Sequence, residues 1–259
     1  MTYKEIIVYL DPFTDTDSRL KFAVALAASC GARLIGLDAC SDAAYEGEWR
    51  DRALGLKELF ESTIKTAGLR GVYRSADQWT KGGGHSYAHY ADLIIAPQPE
   101  FEAKNLIVAG IPEDVLVAAG VPVLLLPYGW KSRGAIENIV IAWKSSREAT
   151  RAVHDAMPLL AKAKKVTAFT FAPVNDIFGK EPDLLVNHLR EHGVTADADS
   201  WPDTGEISAS DALFACLDTQ EADLIVAGAY GHSRLMEGLF GGVSRDLVRQ
   251  PSLPVLMSH

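Results

Sequence analysis

Cysteine, positive charge and long apolar runs are all scarce in this sequence. Only three cysteines occur among the 259 residues, Cys30, Cys40 and Cys216, which are too few and too scattered for a disulfide framework or a zinc site. We therefore expect no metal site, and we expect the cysteines to be small buried residues in a reducing compartment. The net charge of −9, from 25 basic and 34 acidic residues, argues against broad binding to nucleic acid or to an anionic membrane surface.

Membrane-spanning and exported classes are also disfavoured by the sequence. No apolar run approaches the roughly 20 residues that a membrane-spanning helix needs. The first residues, Met1 to Glu5, lead directly into a strand pattern and lack the features of a signal peptide. We therefore expect a cytoplasmic protein. Hydrophobic residues make up 48% of the chain, which is ample for a globular core.

Three sequence blocks recur in the same order in the two halves of the chain. Their offsets are 133, 131 and 132 residues, so they keep nearly one register, which chance similarity of single strands does not explain. The paired blocks are Glu5–Asp11 with Asn138–Lys144, Ala91–Pro97 with Ala222–Gly228, and Val121–Leu126 with Leu253–Met257. This repeat predicts two domains of the same architecture.

Each half alternates apolar strands with helical segments. Because such alternation is typical of right-handed βαβ units, it predicts parallel sheets. The predicted fold class is α/β, with two repeated doubly wound domains, each a mostly parallel five-stranded sheet flanked by helices. A segment rich in turn formers, Pro127–Ala135, lies between them, so we place the domains at residues 1–133 and 134–259. Ligands of such sheets bind beyond the carboxyl ends of the strands.

The most informative loop follows an apolar strand in the second half. Five glycines lie between Gly228 and Gly242, and the pattern of a new helix follows. Glycine lets the backbone approach a ligand closely, and a helix start offers unpaired N–H groups and partial positive charge. A strand, a glycine-rich loop and a helix start together predict a site for an anion.

The spacing Gly228-x2-Gly231-x9-Gly241, followed by Gly242-Val243-Ser244, resembles the nucleotide-phosphate loop of the universal stress protein family. The flanking segments Ala222–Gly228 and Leu253–Leu256 are similar to that family as well. The resemblance covers the second half and extends to the first half through the repeat. It implies a tandem two-domain member that binds ATP or another adenine nucleotide, although the sequence alone fixes no cofactor.

The two halves divide the ATP-binding parts that the resemblance implies. In ATP-binding members, an aspartate after the first strand hydrogen-bonds the adenine. The first half keeps this acid as Asp11, but its loop position reads Pro97-Gln-Pro-Glu100, so we interpret it as a degenerate site. The second half keeps the glycines but has Lys144 at the position of the acid. Lys144 cannot accept from adenine but can pair with a phosphate or carboxylate, so we expect ATP to bind more weakly than to members with the complete motif.

Two further loop residues are candidates for contacts with the ligand. Arg234 and Ser233 follow Gly231 and could contact a bound phosphate; the alternative is a solvated loop. Catalysis by His232 and Ser233 is disfavoured, because neighbouring loop residues seldom achieve nucleophile–base geometry and no acid is placed to orient the histidine. We name no catalytic residue.

Several function classes are compatible with these motifs. We favour a stress-associated protein that binds a small phosphate-bearing ligand in its second domain and transmits a signal, without efficient turnover. The alternatives are a slow nucleotide-dependent enzyme, such as an ATPase or nucleotidyl transferase, and a partner-binding module with vestigial sites. The resemblance also implies that the two halves pair as an intramolecular pseudo-dimer through their last strands, Val121–Leu126 and Leu253–Met257, and it leaves association of two chains open.

Overall fold

The fold was analysed in a computed structural model, which describes residues 2–12, 14–38, 48–75, 88–98, 119–132, 134–173, 181–229, 242–249 and 252–259. The chain forms two compact units, Met1–Arg133 and Gly134–His259. Each unit is an α/β structure of its own.

The first unit contains five strands and two helices within the described residues. The strands are β1 (Glu5–Leu10), β2 (Arg33–Asp38), β3 (Gly71–Ser75), β4 (Leu93–Pro97) and β5 (Val123–Leu126). The helices are α1 (Thr16–Cys30) and α2 (Glu48–Thr66).

The second unit contains five strands and four helices within the described residues. The strands are β6 (Asn138–Ala142), β7 (Lys165–Pro173), β8 (Ala196–Asp203), β9 (Leu224–Gly228) and β10 (Val255–Ser258). The helices are α3 (Arg147–Leu160), α4 (Glu181–Glu191), α5 (Ala209–Thr219) and α6 (Gly242–Arg249).

Both units have the same sheet order, which confirms the predicted fold class. The order is β3-β2-β1-β4-β5 in the first unit and β8-β7-β6-β9-β10 in the second. Every described pairing within a unit is parallel. In each unit the order reverses beside the first strand, and doubly wound folds bind ligands at this position.

The helices are positioned by apolar stripes and end at specific signals. In α2, the side chains of Ala53, Leu56, Phe60 and Ile64 are buried, as their helical spacing predicts. α1 ends at Gly31, whose φ of 62° places it in the left-handed region that favours glycine. Within the described residues, the helices are all too short or too polar to cross a membrane.

Two edge strands, β3 and β8, carry little apolar signal. In β8 only Ala196 is buried, and most of the strand from Asp197 to Asp203 is exposed. Edge strands that are polar or charged avoid unwanted pairing with other chains. Because their hydrophobic pattern is weak, these two strands are difficult to predict from the sequence.

One aspartate in each unit joins the amino ends of the two central strands. Asp92 Oδ2 accepts hydrogen bonds from the backbone N–H groups of Lys4 and Glu5, at 2.6 and 2.9 Å. Asp223 Oδ2 accepts from those of Glu137 and Asn138, at 3.0 and 2.9 Å. The repeated Ala-Asp-Leu sequence therefore encodes the same carboxylate contact twice, immediately before β4 and β9.

Removing the Asp223 carboxylate should destabilise the second unit. Asp223→Ala leaves two partly buried N–H groups without their charged acceptor, so we expect the free energy of unfolding to fall by about 1–3 kcal/mol. Asp223→Asn keeps one acceptor oxygen and should lose less. Urea denaturation of the full chain measures both. Asp218→Ala, an exposed change in α5, is the control and should stay within about 0.5 kcal/mol; an equal loss in the control would contradict this role for Asp223.

Candidate functional site

The structure describes some of the predicted site residues and not others. Gly228, Lys144 and the segment Gly242–Ser244 lie within the described residues of the second unit. Gly231, Ser233, Arg234 and Gly241 lie outside the described residues, and so does the pair of His232 with Ser233.

Parallel pairing brings Lys144 and Gly228 to the same edge of the second sheet. Ala142 of β6 is in register with Ala227 of β9, so the chain leaves both strands at the same level. Gly228 is also in register with Ser258 of β10. The carboxyl ends of β6, β9 and β10 therefore form one edge, as expected for a ligand site in a doubly wound sheet.

Gly228 is required by packing at this edge. A Cβ atom added to it would lie 2.6 Å from the backbone N of Ala149 and 2.8 Å from the carbonyl carbon of Glu148. These backbone atoms belong to the first turn of α3 and cannot move aside easily. The glycine thus lets the end of β9 approach the start of α3. Close packing of the two backbones is enough to require glycine here, whether or not a ligand binds.

Ser244 and Gly242 shape the start of α6. The Ser244 hydroxyl donates to the carbonyl oxygen of Gly228 at 3.1 Å, so it ties α6 to the end of β9. A Cβ atom at Gly242 would meet only Asp246 Oδ2, at 3.9 Å, among the described residues. Among the described residues, nothing therefore lies closer than 3.9 Å to this position in the first turn of α6.

Lys144 places an exposed cation at the edge. Its side chain is exposed two residues beyond the end of β6. It forms none of the ion pairs found within the described part of the chain. An exposed ammonium with no carboxylate partner is suited to meet an incoming anion.

Two acids near this edge were not singled out from the sequence. Glu148 lies in the first turn of α3, where burial favours its neutral form, but its own backbone N–H and Arg147 outweigh burial and hold the pKa of Glu148 below its usual value. Asp246 accepts from the Ser210 hydroxyl at 2.6 Å. An ionised Glu148 disfavours a phosphate at α3, so an anion would bind beside Lys144 and the start of α6.

The equivalent acid in the first unit is already engaged. Asp11 follows β1, but its Oδ2 accepts from Arg19 Nη2 at 2.6 Å and from the Thr14 hydroxyl at 2.7 Å. Its Oδ1 accepts from the Thr14 N–H at 2.7 Å. The relative exposure of the two charged side chains is only 4% for Arg19 and 3% for Asp11. Asp11 is therefore a buried structural carboxylate and does not present a free acceptor to adenine.

Arg19 is held from several sides. Its Nε donates to the Tyr9 carbonyl at 2.7 Å, and its Nη2 donates also to the Thr16 hydroxyl at 2.8 Å. Burial lowers the pKa of Arg19 from its usual value, and Asp11 opposes this shift. A guanidinium stays protonated in proteins, so Arg19 keeps its charge beside Asp11.

The remaining space at this edge of the first unit is small. A cavity of about 20 Å³ lies between Arg19, Gln98 and Trp130, which is room for about one water molecule. Pro97 ends β4 there and has no N–H group to offer. Among the described residues, the buried ion pair, this small cavity and Pro97 make the edge of the first unit poorly suited to hold a nucleotide.

Metal and thiol chemistry receive no support from the described residues. No group of three or more metal-ligating side chains is found among them. Cys30 and Cys216 are buried and form no disulfide within the described part of the chain, while Cys40 lies outside the described residues. Burial, together with Asp199, raises the pKa of the Cys216 thiol to about 12, so this thiol is a poor nucleophile.

The Arg19–Asp11 pair should dominate the stability of the first unit. Arg19→Leu leaves a buried carboxylate unpaired, so we expect the free energy of unfolding to fall by about 3–5 kcal/mol. The double variant Arg19→Leu/Asp11→Leu should lose much less than the sum of the single changes. Urea denaturation of all three variants gives the coupling energy.

A matched control for this pair exists in the same unit. The ion pair of Arg33 with Glu5 joins β2 to β1 at 3.1 Å, and about two fifths of each side chain is exposed, at 39% and 36%. Arg33→Leu should therefore cost no more than about 1 kcal/mol. Equal losses in Arg19→Leu and Arg33→Leu would contradict the structural role of the buried pair.

Comparison with known proteins supports the resemblance found in the sequence. Residues 203–259 match the family model described as the universal stress protein family. This match includes β9, α6 and β10. None of the curated proteins matches the chain in sequence.

Solved structures share the fold over nearly the whole chain. A universal stress protein from Archaeoglobus fulgidus DSM 4304 has a TM-score of 0.73 and 13% identity, covering 98% of this chain and 95% of its own. A putative universal stress protein from Pseudomonas aeruginosa UCBPP-PA14 has a TM-score of 0.64 and 18% identity, covering 99% and 93%. At sequence identities this low, the likeness shows a shared fold and nothing further.

The sequence match and the fold likeness cover different lengths of the chain. The first identifies residues 203–259, which form the glycine-loop part of the second unit, and the second extends over both units. The resemblance predicted from the repeat and the glycine spacing is therefore confirmed: residues 203–259 match the universal stress protein family, and the chain shares the fold of solved structures described as universal stress proteins.

Proposed function

We propose that this chain is a stress-associated signalling protein that binds a phosphate-bearing ligand, such as ATP or another adenine nucleotide, in its second unit without efficient turnover. The stress association rests on the family match of residues 203–259. The ligand class rests on the glycine spacing and on the edge formed by β6, β9 and β10.

The observation that carries the proposal is the contrast between the two sheet edges. In the first unit, Asp11 is neutralised internally by Arg19 at 2.6 Å. In the second unit, the equivalent position holds the exposed Lys144, and α6 begins at Gly242 on the same edge, where Ser244 donates to Gly228. A cation and unpaired helix N–H groups attract phosphate, so the second unit is the one suited to bind it.

We do not propose efficient hydrolysis of a bound nucleotide, because that chemistry needs groups that the described edge does not offer. Phosphoryl transfer needs a carboxylate for Mg²⁺ or a group that orients water. Among the described residues of this edge, Glu148 is paired with Arg147 at 3.4 Å and Asp246 accepts from Ser210. Asp223 lies at the opposite, amino end of β9, where its carboxylate joins β9 to the start of β6. The described acids near the proposed phosphate position thus already have partners, and Glu237 of the glycine-rich loop lies outside the described residues.

Lys144 should contribute to the affinity for phosphate and not for adenine. Lys144→Gln removes one charge-assisted contact, so we expect the affinities for ATP and for inorganic pyrophosphate to fall by the same factor, about three- to ten-fold. Isothermal titration calorimetry measures both ligands. Because the contact is electrostatic, raising the salt concentration should reduce the difference between wild type and variant.

The control for this experiment is an exposed lysine away from the edge. Lys65→Gln, near the end of α2, should leave both affinities unchanged. Release of inorganic phosphate from ATP in the presence of Mg²⁺ should stay at the level of the buffer blank. Unchanged ATP affinity in Lys144→Gln would exclude Lys144 from the site, and sustained phosphate release would favour the enzyme alternative.

A further inference from the structure

A cavity in the second unit lies between α3 and α4. Its volume is about 310 Å³, and its lining includes Trp143, Ser145, Val153, Leu185 and His188. This volume is at the lower end of the range of small-molecule sites. Leu184 also lines the cavity and is 68% exposed, so a small ligand can enter from solvent.

The cavity adjoins Lys144, the cation of the proposed phosphate site. Trp143 and Ser145, the residues on either side of Lys144 in the chain, both line it. Consecutive Cα atoms are about 3.8 Å apart, so the backbone of Lys144 lies beside the cavity wall, and its side chain is exposed. A phosphate held by Lys144 therefore leaves the rest of its molecule close to the cavity.

The surface that the cavity offers to a ligand is mainly apolar. Val153 and Leu185 contribute aliphatic side chains. The imidazoles of His154 and His188 meet edge-on, with ring centroids 5.5 Å apart. Trp143 Nε1 is buried, so the indole presents the carbon atoms of its ring to the cavity and not its N–H group. Aromatic rings favour contacts with surfaces of this kind.

The polar groups of the lining match a nucleobase poorly. Among the described residues, the lining has the hydroxyls of Ser145 and Thr150 and two imidazoles, but no carboxylate and no side-chain amide. Side-chain amides are the groups that pair best with the amino group and ring nitrogen of adenine, and Lys144 has no acceptor. Burying polar groups without partners costs free energy, whereas an apolar ring has no such groups to satisfy.

We propose that the second unit selects an aryl phosphate, whose phosphate pairs with Lys144 while its apolar ring occupies the cavity between α3 and α4. This inference rests on the proposed phosphate site and narrows the class of its ligand, with an apolar ring in place of adenine. Burial of the ring adds affinity through the hydrophobic effect, and Lys144 recognises the charge.

Four small compounds test the two parts of the ligand separately. Methyl phosphate and phenyl phosphate carry similar charge, so calorimetric titration of the full chain should show about ten-fold or higher affinity for phenyl phosphate, because only its ring is buried. Phenol lacks the phosphate and should bind about ten-fold more weakly than phenyl phosphate, or worse. Adenosine monophosphate should bind about three-fold more weakly than phenyl phosphate, or worse, because its base is polar.

Leu184→Asn changes the apolar rim of the cavity at an exposed position, where folding is not at risk. It should lower the affinity for phenyl phosphate about three-fold or more and change that for methyl phosphate by less than about two-fold. The matched control is Leu54→Asn in α2, also at a largely exposed position (71%). This control should change neither affinity.

Two further variants separate the ring from the phosphate. Thr150 is exposed and lines the cavity, so Thr150→Trp should fill the space and remove most of the preference for phenyl over methyl phosphate. Lys144→Gln should lower the affinities for both phosphates by the same factor and leave that preference intact.

Three results would overturn the aryl ligand while leaving the phosphate site in place. They are equal affinities of the wild type for methyl and phenyl phosphate, a preference for phenyl phosphate that both Leu184→Asn and Thr150→Trp leave unchanged, and tighter binding of adenosine monophosphate than of phenyl phosphate. Absence of binding by every phosphate, pyrophosphate included, would instead overturn the phosphate site together with this inference.

Discussion

In each unit, one carboxylate receives two backbone N–H groups from the residues that enter the first strand. Asp92 does this for β1 and Asp223 for β6, at distances between 2.6 and 3.0 Å. These contacts tie the amino ends of the two central strands, which are neighbours in the sheet but far apart in sequence. Because parallel strands have constant register, the same contacts help to decide which residues meet at the carboxyl edge, where ligands of doubly wound sheets bind.

The two units use this shared frame differently. Where the first unit places Arg19 against Asp11, both charges are satisfied by protein groups and the remaining cavity holds about one water molecule. Where the second unit places Lys144, the side chain is exposed and Ser244 holds α6 against the end of β9. Among the described residues, the first edge is thus occupied by its own buried side chains, whereas the second edge exposes Lys144. A buried ion pair is costly to break, so the first edge is stably filled.

The sequence predicted the architecture because the relevant signals are local or repeated. The apolar runs of β1 and β6, the helical stripe of α2 and the constant offset between the halves all follow from periodicity. β3 and β8 give weak signals, since exposed edge strands need polar residues. The partnership of Arg19 with Asp11 was not predicted, although the residues are eight positions apart. From the sequence alone, a buried arginine in a helix cannot be distinguished from a solvated one, because its exposure depends on how the rest of the chain packs around it.

The candidate site was predictable only in part, because several of its contacts depend on how the rest of the chain packs. The glycine spacing identified the loop after β9, and parallel pairing explains why Lys144 reaches the same edge. The packing role of Gly228 against α3 depends on the distance between two backbones, which the sequence does not contain. The same holds for Glu148 and Asp246, whose proximity to the edge comes from the way α3 and α6 begin there.

The central claim is that the second unit binds the nucleotide and the first cannot. Photo-crosslinking with 8-azido-ATP, followed by protease digestion and mass spectrometry of the labelled peptides, tests this directly. The account predicts that labelled peptides that unlabelled ATP competes away come only from residues 134–259. Competable labelling within residues 1–133, around Asp11 and Arg19, would show that the first edge opens to a nucleotide and would contradict the account.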